Sequence, residues 1–285
     1  MIKQQRVDLI IKEVTQRLEL SGSESPALDA AVLLCHVLDK PRSFVYTWPD
    51  KTLCEEQIIA LDIQVARREK GEPIAYITGE REFWSLPLKV SPTTLIPRPD
   101  TERLVELALD KAPETSGDIL DLGTGTGAIA LALATELPDR KVLGVDLKPE
   151  AQALASENAS RLGISNARFL SGSWFEPITD GTKFALIVSN PPYIDANDPH
   201  LEAGDVRFEP SSALVAKDNG LADIRTITEQ AKRFLKQSGW LLFEHGFEQG
   251  SDVRAILLEQ GYERVSTEKD YGGNDRVTMG RFSQQ

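Results

Sequence analysis

Apolar residues in the first part of the chain recur three and four positions apart, the spacing that places side chains on one face of a helix. Three such runs lie at residues 7–18, 30–38 and 53–65. Ser25-Pro26 and Thr52 precede the second and third runs and are residue types that begin helices. The pattern predicts a small helical bundle whose apolar stripes form its core rather than a cofactor site.

The pattern changes near Glu72. Residues between Glu82 and Arg98 favour strands and are punctuated by prolines, so they predict a β-hairpin linker. From Thr101 onward, strand-like and helix-like runs alternate, which is typical of an α/β domain with a mostly parallel sheet. Seven strands are predicted, at residues 118–122, 141–145, 167–170, 184–188, 240–243, 264–267 and 276–279.

The chain has 285 residues, enough for two domains, and 41% of them are hydrophobic, which suffices for real cores. We predict a helical domain at residues 1–72, a β-hairpin linker at 73–100 and an α/β domain at 101–285. The first apolar stretch, residues 7–14, contains three charged side chains and is predicted to be neither a secretion signal nor a membrane span. We expect a cytoplasmic location and no membrane partner.

The composition is acidic. With 32 Lys and Arg against 44 Asp and Glu, the formal net charge is −12. Because such a surface repels phosphate backbones on average, no stable nucleic-acid partner is expected. Cys35 and Cys54 lie in apolar, helix-like stretches without metal-ligand spacing. Both are predicted to be buried thiols, and no metal site is predicted.

A glycine-rich loop, Gly123-Thr124-Gly125-Thr126-Gly127, joins the first strand of the α/β region to an alanine-rich helical run. Glycines allow a ligand to approach the backbone closely, and the amides at a helix start attract electron-rich groups. The next strand ends in Asp146, about 20 residues beyond the loop, where a carboxylate can bind a ribose diol. The loop predicts a nucleoside-containing cofactor. Since Gly123-x-Gly125-x-x-Ala128 also fits the looser dinucleotide fingerprint, a nicotinamide or flavin site remains an alternative.

The sequence Asn190-Pro191-Pro192-Tyr193 follows the apolar run at residues 184–188. Two prolines remove two amide donors, so the carbonyls of Asn190 and Pro191 and the Asn190 side-chain oxygen are left as acceptors. Such a site suits a planar NH2 group, with Tyr193 covering its flat face. The alternative is a stiff turn without a chemical role.

The order of these motifs resembles that of class I S-adenosylmethionine-dependent methyltransferases that modify planar nitrogens. More closely, the chain resembles the release factor glutamine methyltransferase family. The segments that carry the resemblance are residues 71–79, 82–84, 95–102, 121–127, 189–194 and 207–210. The most specific of them is Leu95-Ile-Pro-Arg-Pro-Asp-Thr-Glu102. The glycine-rich loop is shared by many methyltransferases, and the Asn-Pro-Pro-Tyr motif is shared by adenine methyltransferases.

The resemblance implies a Rossmann-like, seven-stranded class I methyltransferase domain of the α/β class, with a small N-terminal helical bundle that recognises the substrate and is joined by the β-hairpin linker. It implies methylation of the side-chain amide nitrogen (N5) of the glutamine in the Gly-Gly-Gln motif of class 1 peptide chain release factors, with S-adenosylmethionine as cofactor. The implied cofactor-binding residues are Asp121, Gly123, Thr124, Gly125, Thr126, Gly127, Asp146, Ser173, Trp174 and Asn190.

Asn190, Pro191 and Tyr193 are the predicted catalytic residues, and Pro192 completes the predicted substrate site. The chain departs from the family at Ser173, where an acidic residue is common. A hydroxyl can still accept a bond from the adenine amino group, but without charge assistance. No general base is predicted, because a methylated amide nitrogen is acidic enough to lose its proton to water.

Two other functions are weighed against this one. An adenine-N6 nucleic-acid methyltransferase would use the same planar NH2 chemistry, but the net charge and the lack of a basic target-recognition domain count against it. A nucleotide-binding module without catalysis would not need the intact Asn190 to Tyr193 motif.

Overall fold

The computed structural model describes residues 1–202 and 204–283. Contacts divide the chain into two compact units. The helical unit holds Met1–Glu80 together with Glu202–Phe208, and the α/β unit holds Arg81–Leu201 and the chain from Glu209 onward. The predicted domain boundaries at residues 72 and 100 stay predictions.

The helical unit contains the three predicted long helices and two short ones. They are α1 (Val7–Leu20), α2 (Pro26–Leu38), α3 (Phe44–Thr47), α4 (Glu55–Glu69) and α5 (Ile74–Thr78). Its core is formed by the residues of the predicted stripes, such as Ile10, Leu18, Leu34 and Leu61, which are all fully buried. The helical spacing therefore identified the core correctly.

The start of α2 agrees with the sequence, since Ser25 is the residue before the helix and Pro26 is its first residue. The prediction of Thr52 as a helix start is wrong. The residue before α4 is Cys54, whose amide donates to Gln57 Oε1 at 3.0 Å. Consequently Cys54 is exposed, which contradicts the predicted buried thiol, whereas Cys35 is buried as predicted.

A two-stranded hairpin follows, formed by β1 (Glu80–Phe83) and β2 (Leu86–Lys89). It is shorter and begins earlier than the predicted range of residues 82–98. Its turn residues Trp84 and Ser85 have φ values of 52° and 59°. Such left-handed turns match the twist of the paired strands.

The α/β unit is built on the predicted seven-stranded sheet. The strands are β3 (Ile119–Leu122), β4 (Val142–Asp146), β5 (Ala167–Ser171), β6 (Phe184–Ser189), β7 (Leu235–Glu244), β8 (Glu263–Lys269) and β9 (Asp275–Arg281). Their order is β5-β4-β3-β6-β7-β9-β8. Neighbouring strands are parallel except that β9 runs antiparallel to both β7 and β8.

Helices cover both faces of this sheet. They are α6 (Glu102–Lys111), α7 (Ala128–Glu136), α8 (Pro149–Leu162), α9 (Ala222–Ala231) and α10 (Gly250–Glu259). Side chains of α6, α7 and α8 share one apolar core, and those of α9 and α10 share the other. Consecutive strand residues alternate between the cores, as Ile119 and Leu120 do, because side chains of a strand point to opposite faces.

The ends of the central strands lie level with one another. Leu122 at the end of β3 pairs with Val145 of β4 on one side and with Ser189 of β6 on the other. The chain order reverses between β3 and β6, and ligands of open α/β sheets bind at such a point. The glycine loop, Asp146 and Asn190 therefore leave the sheet at one edge.

Over the described residues, no helix is long and apolar enough to cross a membrane. Within the same part of the chain, no group of three or more His, Cys, Asp or Glu side chains is placed to hold a metal ion.

Candidate active site

The glycine loop adopts a conformation that depends on its glycines. Gly123, Gly125 and Gly127 all have positive φ, and at Gly127 an added Cβ would lie 3.1 Å from both Ala155 and Leu131. The amides of Gly123 and Thr124 donate to the Val145 carbonyl at 2.9 and 3.0 Å. The loop is thus tied to the end of β4 before α7 begins.

Asp146 is held by two backbone amides. Its Oδ2 accepts a hydrogen bond from the Gly125 amide at 2.8 Å, and its Oδ1 accepts one from the Lys148 amide at 3.0 Å. These bonds fix the direction of the carboxylate and connect it to the glycine loop. The geometry suits a carboxylate that must present its remaining acceptor positions to a diol.

Asp121 lies beneath the loop. It is fully buried, and the Thr124 hydroxyl donates to its Oδ2 at 2.6 Å. Burial raises the pKa of Asp121 to about 7, although the Thr124 hydroxyl and the Ala130 amide lower it. Asp121 therefore supports the glycine loop through its hydrogen bond with Thr124.

The Asn190 to Tyr193 segment is held on both sides. Asn190 Nδ2 donates to Thr101 Oγ1 at 3.3 Å, and the Gln249 side chain donates to the Tyr193 carbonyl at 3.0 Å. The Tyr193 hydroxyl donates to Glu244 Oε1 at 3.3 Å. Burial raises the pKa of this hydroxyl above its ordinary value, so it remains a donor at neutral pH.

A cavity of about 330 Å³ lies at this edge of the sheet, inside the α/β unit. The predicted site residues that line it are Gly123, Thr124, Gly125, Thr126, Asp146, Ser173, Trp174, Asn190 and Pro192. Four other predicted residues do not line it: Asp121, Gly127, Pro191 and Tyr193. Its volume is in the range of small-molecule sites, roughly 300–1,000 Å³.

The cavity fits a nucleoside-containing cofactor. An added Cβ at Gly123 would lie 3.7 Å from both Trp174 Cζ3 and the Asn190 carbonyl oxygen, so a side chain there would project into the gap between loop and motif. Asp146 offers acceptors and Trp174 offers an aromatic surface, and both line the cavity. Ser173 also lines it, and its amide donates to Glu176 Oε2 at 3.2 Å.

Seven further polar residues line the cavity that the sequence did not single out as site residues: Thr93, Thr94, Arg98, Thr101, Lys148, Ser212 and Asp223. Arg98 pairs with the fully buried Glu209 side chain at 2.7 Å, which joins two of the segments that carry the family resemblance. Thr101 Oγ1 accepts a hydrogen bond from Asn190 Nδ2. Asp223, in the first turn of α9, is half-buried, and burial raises its pKa, whereas a hydrogen bond from Trp174 lowers it.

Comparison with solved structures supports the fold. The hMettl16 catalytic domain, solved in complex with the MAT2A 3'UTR hairpin 1, is similar with a TM-score of 0.58 at 14% identity, covering 88% of this chain and 93% of that one. A methyltransferase from Pyrococcus furiosus gives a TM-score of 0.53 at 18% identity, covering 78% and 100%. At these identities the likeness concerns the fold. Fold and cavity define a class I, S-adenosylmethionine-dependent methyltransferase.

Sequence comparison identifies the family. Residues 10–79 match the PrmC N-terminal domain and residues 114–271 match a methyltransferase domain. The release factor glutamine methyltransferase of Vibrio cholerae is 66% identical over 276 residues, which cover 97% of this chain and 96% of that protein. The Escherichia coli K12 protein of the same name is 55% identical over 266 residues, covering 93% and 96%. The chain belongs to the release factor glutamine methyltransferase family.

Proposed function

We propose that this protein methylates the side-chain amide nitrogen (N5) of the glutamine in the Gly-Gly-Gln motif of class 1 peptide chain release factors. The observation that carries the proposal is the shared cavity, in which Asp146 and Asn190 stand at the ends of strands two positions apart in the sheet. The relatives named after this reaction support it. Because release factors act in translation termination, we place the enzyme in the cytoplasm.

When bound, S-adenosylmethionine supplies an electrophilic methyl group on a sulfonium. The residues that would hold it are those of the glycine loop, with Asp146 at the ribose and Ser173 and Trp174 at the adenine. Asp121 and Gly127 do not line the cavity, so we assign them to supporting the loop rather than to direct contact.

The chemical difficulty lies in the substrate. An amide nitrogen is a poor nucleophile because its lone pair is delocalised into the carbonyl, so positioning must supply much of the rate. In our proposal the side-chain carbonyl of Asn190 and the backbone carbonyl of Pro191 accept hydrogen bonds from the two N–H groups of the glutamine amide and increase the electron density on its nitrogen. Pro192 shapes the wall that holds the amide plane, and Tyr193, which does not line the cavity, supports the motif through its bond to Glu244. Proton loss to water follows methyl transfer.

The helical domain at residues 1–72 is proposed to recognise the release factor. A single glutamine amide offers too little surface to distinguish one protein from others, so specificity requires a second contact area. The chemical motifs all lie downstream of this domain, which leaves it free for that task. The linker at residues 73–100 would connect recognition to catalysis.

The proposal is tested by mass spectrometry of a Gly-Gly-Gln release factor after incubation with the protein and S-adenosylmethionine. We expect one added methyl group on the glutamine. In Asn190→Ala, turnover should fall by roughly two or more powers of ten while S-adenosylmethionine still binds, because the lost acceptor acts mainly in the transition state. Near-normal turnover of this variant would show that the motif is only a turn.

The same experiment addresses the adenine-N6 alternative. Duplex DNA incubated in parallel should gain no N6-methyladenine, because the net charge of −12 disfavours binding to a phosphate backbone. Methyl incorporation into DNA at a rate comparable to that of the release factor would favour the nucleic-acid function instead.

A further inference from the structure

The Asn190 to Tyr193 motif depends on other segments for its position. Two of its four residues are prolines, which have no amide hydrogen and donate no backbone hydrogen bond. The motif must therefore be fixed by bonds to its remaining groups. One of these groups is the Tyr193 carbonyl, which accepts from Gln249 Nε2 at 3.0 Å.

Gln249 is the residue before α10, but its side chain makes no capping bond to that helix. Instead it is bonded to the backbone of three other residues. Its Oε1 accepts from the Gly246 amide at 2.9 Å, and its Nε2 donates to the carbonyls of Tyr193 and Asn219, both at 3.0 Å. All three partners are main-chain groups, whose donor or acceptor character is fixed.

These partners determine which end of the Gln249 amide faces the motif. The Nε2 group has two hydrogens for two carbonyls, and Oε1 meets an N–H group. A reversed amide would place Oε1 against two carbonyl oxygens and Nε2 against the Gly246 N–H, so all three bonds would be lost. Gln249 therefore has one favoured orientation, in which both amide hydrogens point at carbonyl groups.

The turn before α9 encloses the Tyr193 carbonyl from a second side. Asp218, Asn219 and Gly220 follow one another with positive φ values of 56°, 52° and 83°. An added Cβ at Gly220 would lie 2.0 Å from the Tyr193 carbonyl oxygen. Left-handed residues other than glycine persist where their surroundings hold them, and the bond from Gln249 to the Asn219 carbonyl is such a contact. One glutamine thus holds the turn and the motif together.

Both segments that Gln249 joins continue into the wall of the cavity. Asn190 and Pro192 precede Tyr193 and line the cavity. Asp223 follows the turn, in the first turn of α9, and lines the cavity as well. Gln249 itself does not line the cavity, so it acts on the reaction through the placement of these two segments.

We propose that Gln249 is a positioning residue that holds the Asn190 to Tyr193 motif against the turn before α9 in the arrangement that methyl transfer requires. The inference rests on the proposed function, in which the Asn190 side chain and the Pro191 carbonyl accept from the glutamine amide. Both acceptors lie within three residues of the Tyr193 carbonyl, so a shift of that carbonyl displaces them too. A misplacement of about 1 Å can reduce a rate by about two powers of ten.

The experiment replaces Gln249 in the full-length protein and measures methylation of a purified class 1 release factor. Gln249→Met keeps an unbranched side chain of similar length but removes all three hydrogen bonds. Gln249→Glu keeps the acceptor for the Gly246 amide but places a carboxylate oxygen against two carbonyl oxygens. Gln260→Met is the matched control, because Gln260 follows α10, is half-buried like Gln249 and is bonded to Lys232 instead.

We expect kcat to fall by about 10–100-fold in Gln249→Met and, at neutral pH, in Gln249→Glu. The KM for the release factor and the dissociation constant of S-adenosylmethionine, measured by calorimetry, should stay within a few-fold of the wild type. Gln260→Met should have wild-type kcat.

The pH dependence of Gln249→Glu separates positioning from a general structural role. When protonated, the introduced carboxyl group can donate to one of the two carbonyls that it faces. Its kcat relative to the wild type should therefore rise as the pH falls from about 8 to about 6, because burial raises the pKa of such a carboxyl group. Gln249→Met has no group to protonate and should show no such rise.

Wild-type kcat in folded Gln249→Met would overturn this inference while leaving the proposed function intact. An equal loss of kcat in Gln260→Met would also contradict it, because the effect would then come from α10 as a whole. If Gln249→Met has a lowered thermal transition, Gln249→Glu decides, and a constant ratio to the wild type across the pH range refutes the inference. A wild-type protein that methylates no release factor would overturn the proposed function, and this inference with it.

Discussion

Replacing Asp146 tests its two proposed roles, which are to accept hydrogen bonds from the backbone beside the glycine loop and to bind the ribose of the cofactor. The carboxylate accepts from the amides of Gly125 and Lys148 and also lines the cavity. In Asp146→Asn, one side-chain oxygen remains to accept from the Gly125 amide, but the NH2 group faces the Lys148 amide and cannot accept from it. In Asp146→Ala both bonds are lost.

The expected loss of affinity follows from the bonds to the ribose. A hydrogen bond to a charged group contributes about 1.5–3 kcal/mol, more than a neutral one, because the carboxylate is a charged acceptor. At 1.4 kcal/mol for each factor of ten, Asp146→Ala should bind S-adenosylmethionine roughly 10–150-fold more weakly. Asp146→Asn should fall between Asp146→Ala and the wild type.

Isothermal titration calorimetry measures these affinities directly. Glu150→Gln is the matched control, because it removes one negative charge from the first turn of α8 at an exposed position that does not line the cavity. Its affinity should equal that of the wild type. Thermal transitions must first establish that the Asp146 variants are folded. Unchanged affinity in folded Asp146→Ala, or tight binding of NADH by the wild type, would refute the assignment of the ribose to Asp146.

Two further predictions concern stability and recognition. Burial raises the pKa of Glu244 from its ordinary 4.5 to about 7, so its contribution to stability is complete below pH 4.5 and lost as the pH rises through about 7. Denaturation by urea should show the wild type losing up to about 3 kcal/mol relative to Glu244→Gln over that interval, and a difference that is constant with pH would contradict the assignment. A truncated protein that begins at Arg81 should bind S-adenosylmethionine and methylate a short Gly-Gly-Gln peptide, once its thermal transition has shown that it is folded. Its kcat/KM for the intact release factor should fall strongly. If truncated and full-length proteins have equal kcat/KM for the intact factor, recognition lies in the α/β unit.

Periodic patterns predicted the architecture well because they record which side of an element is buried. The helical stripes gave the core of the helical unit, and seven strand-like runs became seven strands. The prediction for β7 was too short, at residues 240–243 instead of Leu235–Glu244. Its first half contains Lys236, Gln237 and Ser238, which interrupt the apolar run, and the pairing with β6 shifts there.

Local capping was harder to predict because it depends on side-chain bonds. Thr52 has the residue type of a helix start, yet α4 begins at Glu55, where Gln57 accepts from the Cys54 amide. That bond places Cys54 at the exposed end of the helix instead of within it. Gln57 lies three residues after the cap residue Cys54, which is the spacing of a capping box. The sequence did not reveal this box because its first residue is a cysteine instead of the usual serine or threonine.

The placement of the candidate site residues was predictable where each of them follows a strand of the parallel sheet, and unpredictable where it depends on side-chain pairs between distant segments. The glycine loop, Asp146 and Asn190 each follow a strand, so their common edge could be inferred. Arg98 and Glu209 meet across 111 positions and Tyr193 and Glu244 across 51. No local pattern marks such pairs, because their proximity is a property of the completed sheet.

The two sides of the cavity are supported in the same way. Asp121 lies beneath the glycine loop and accepts from Thr124, and Glu244 lies next to the Asn190 motif and accepts from the Tyr193 hydroxyl. Burial raises the pKa of both carboxyl groups to about 7, so each opposes folding at neutral pH. An apolar residue at either position would avoid that cost but could not accept a hydrogen bond from a hydroxyl group. Stability is thus lower at these two positions than an apolar core would allow, and the orientations of Thr124 and of the Tyr193 ring are better defined.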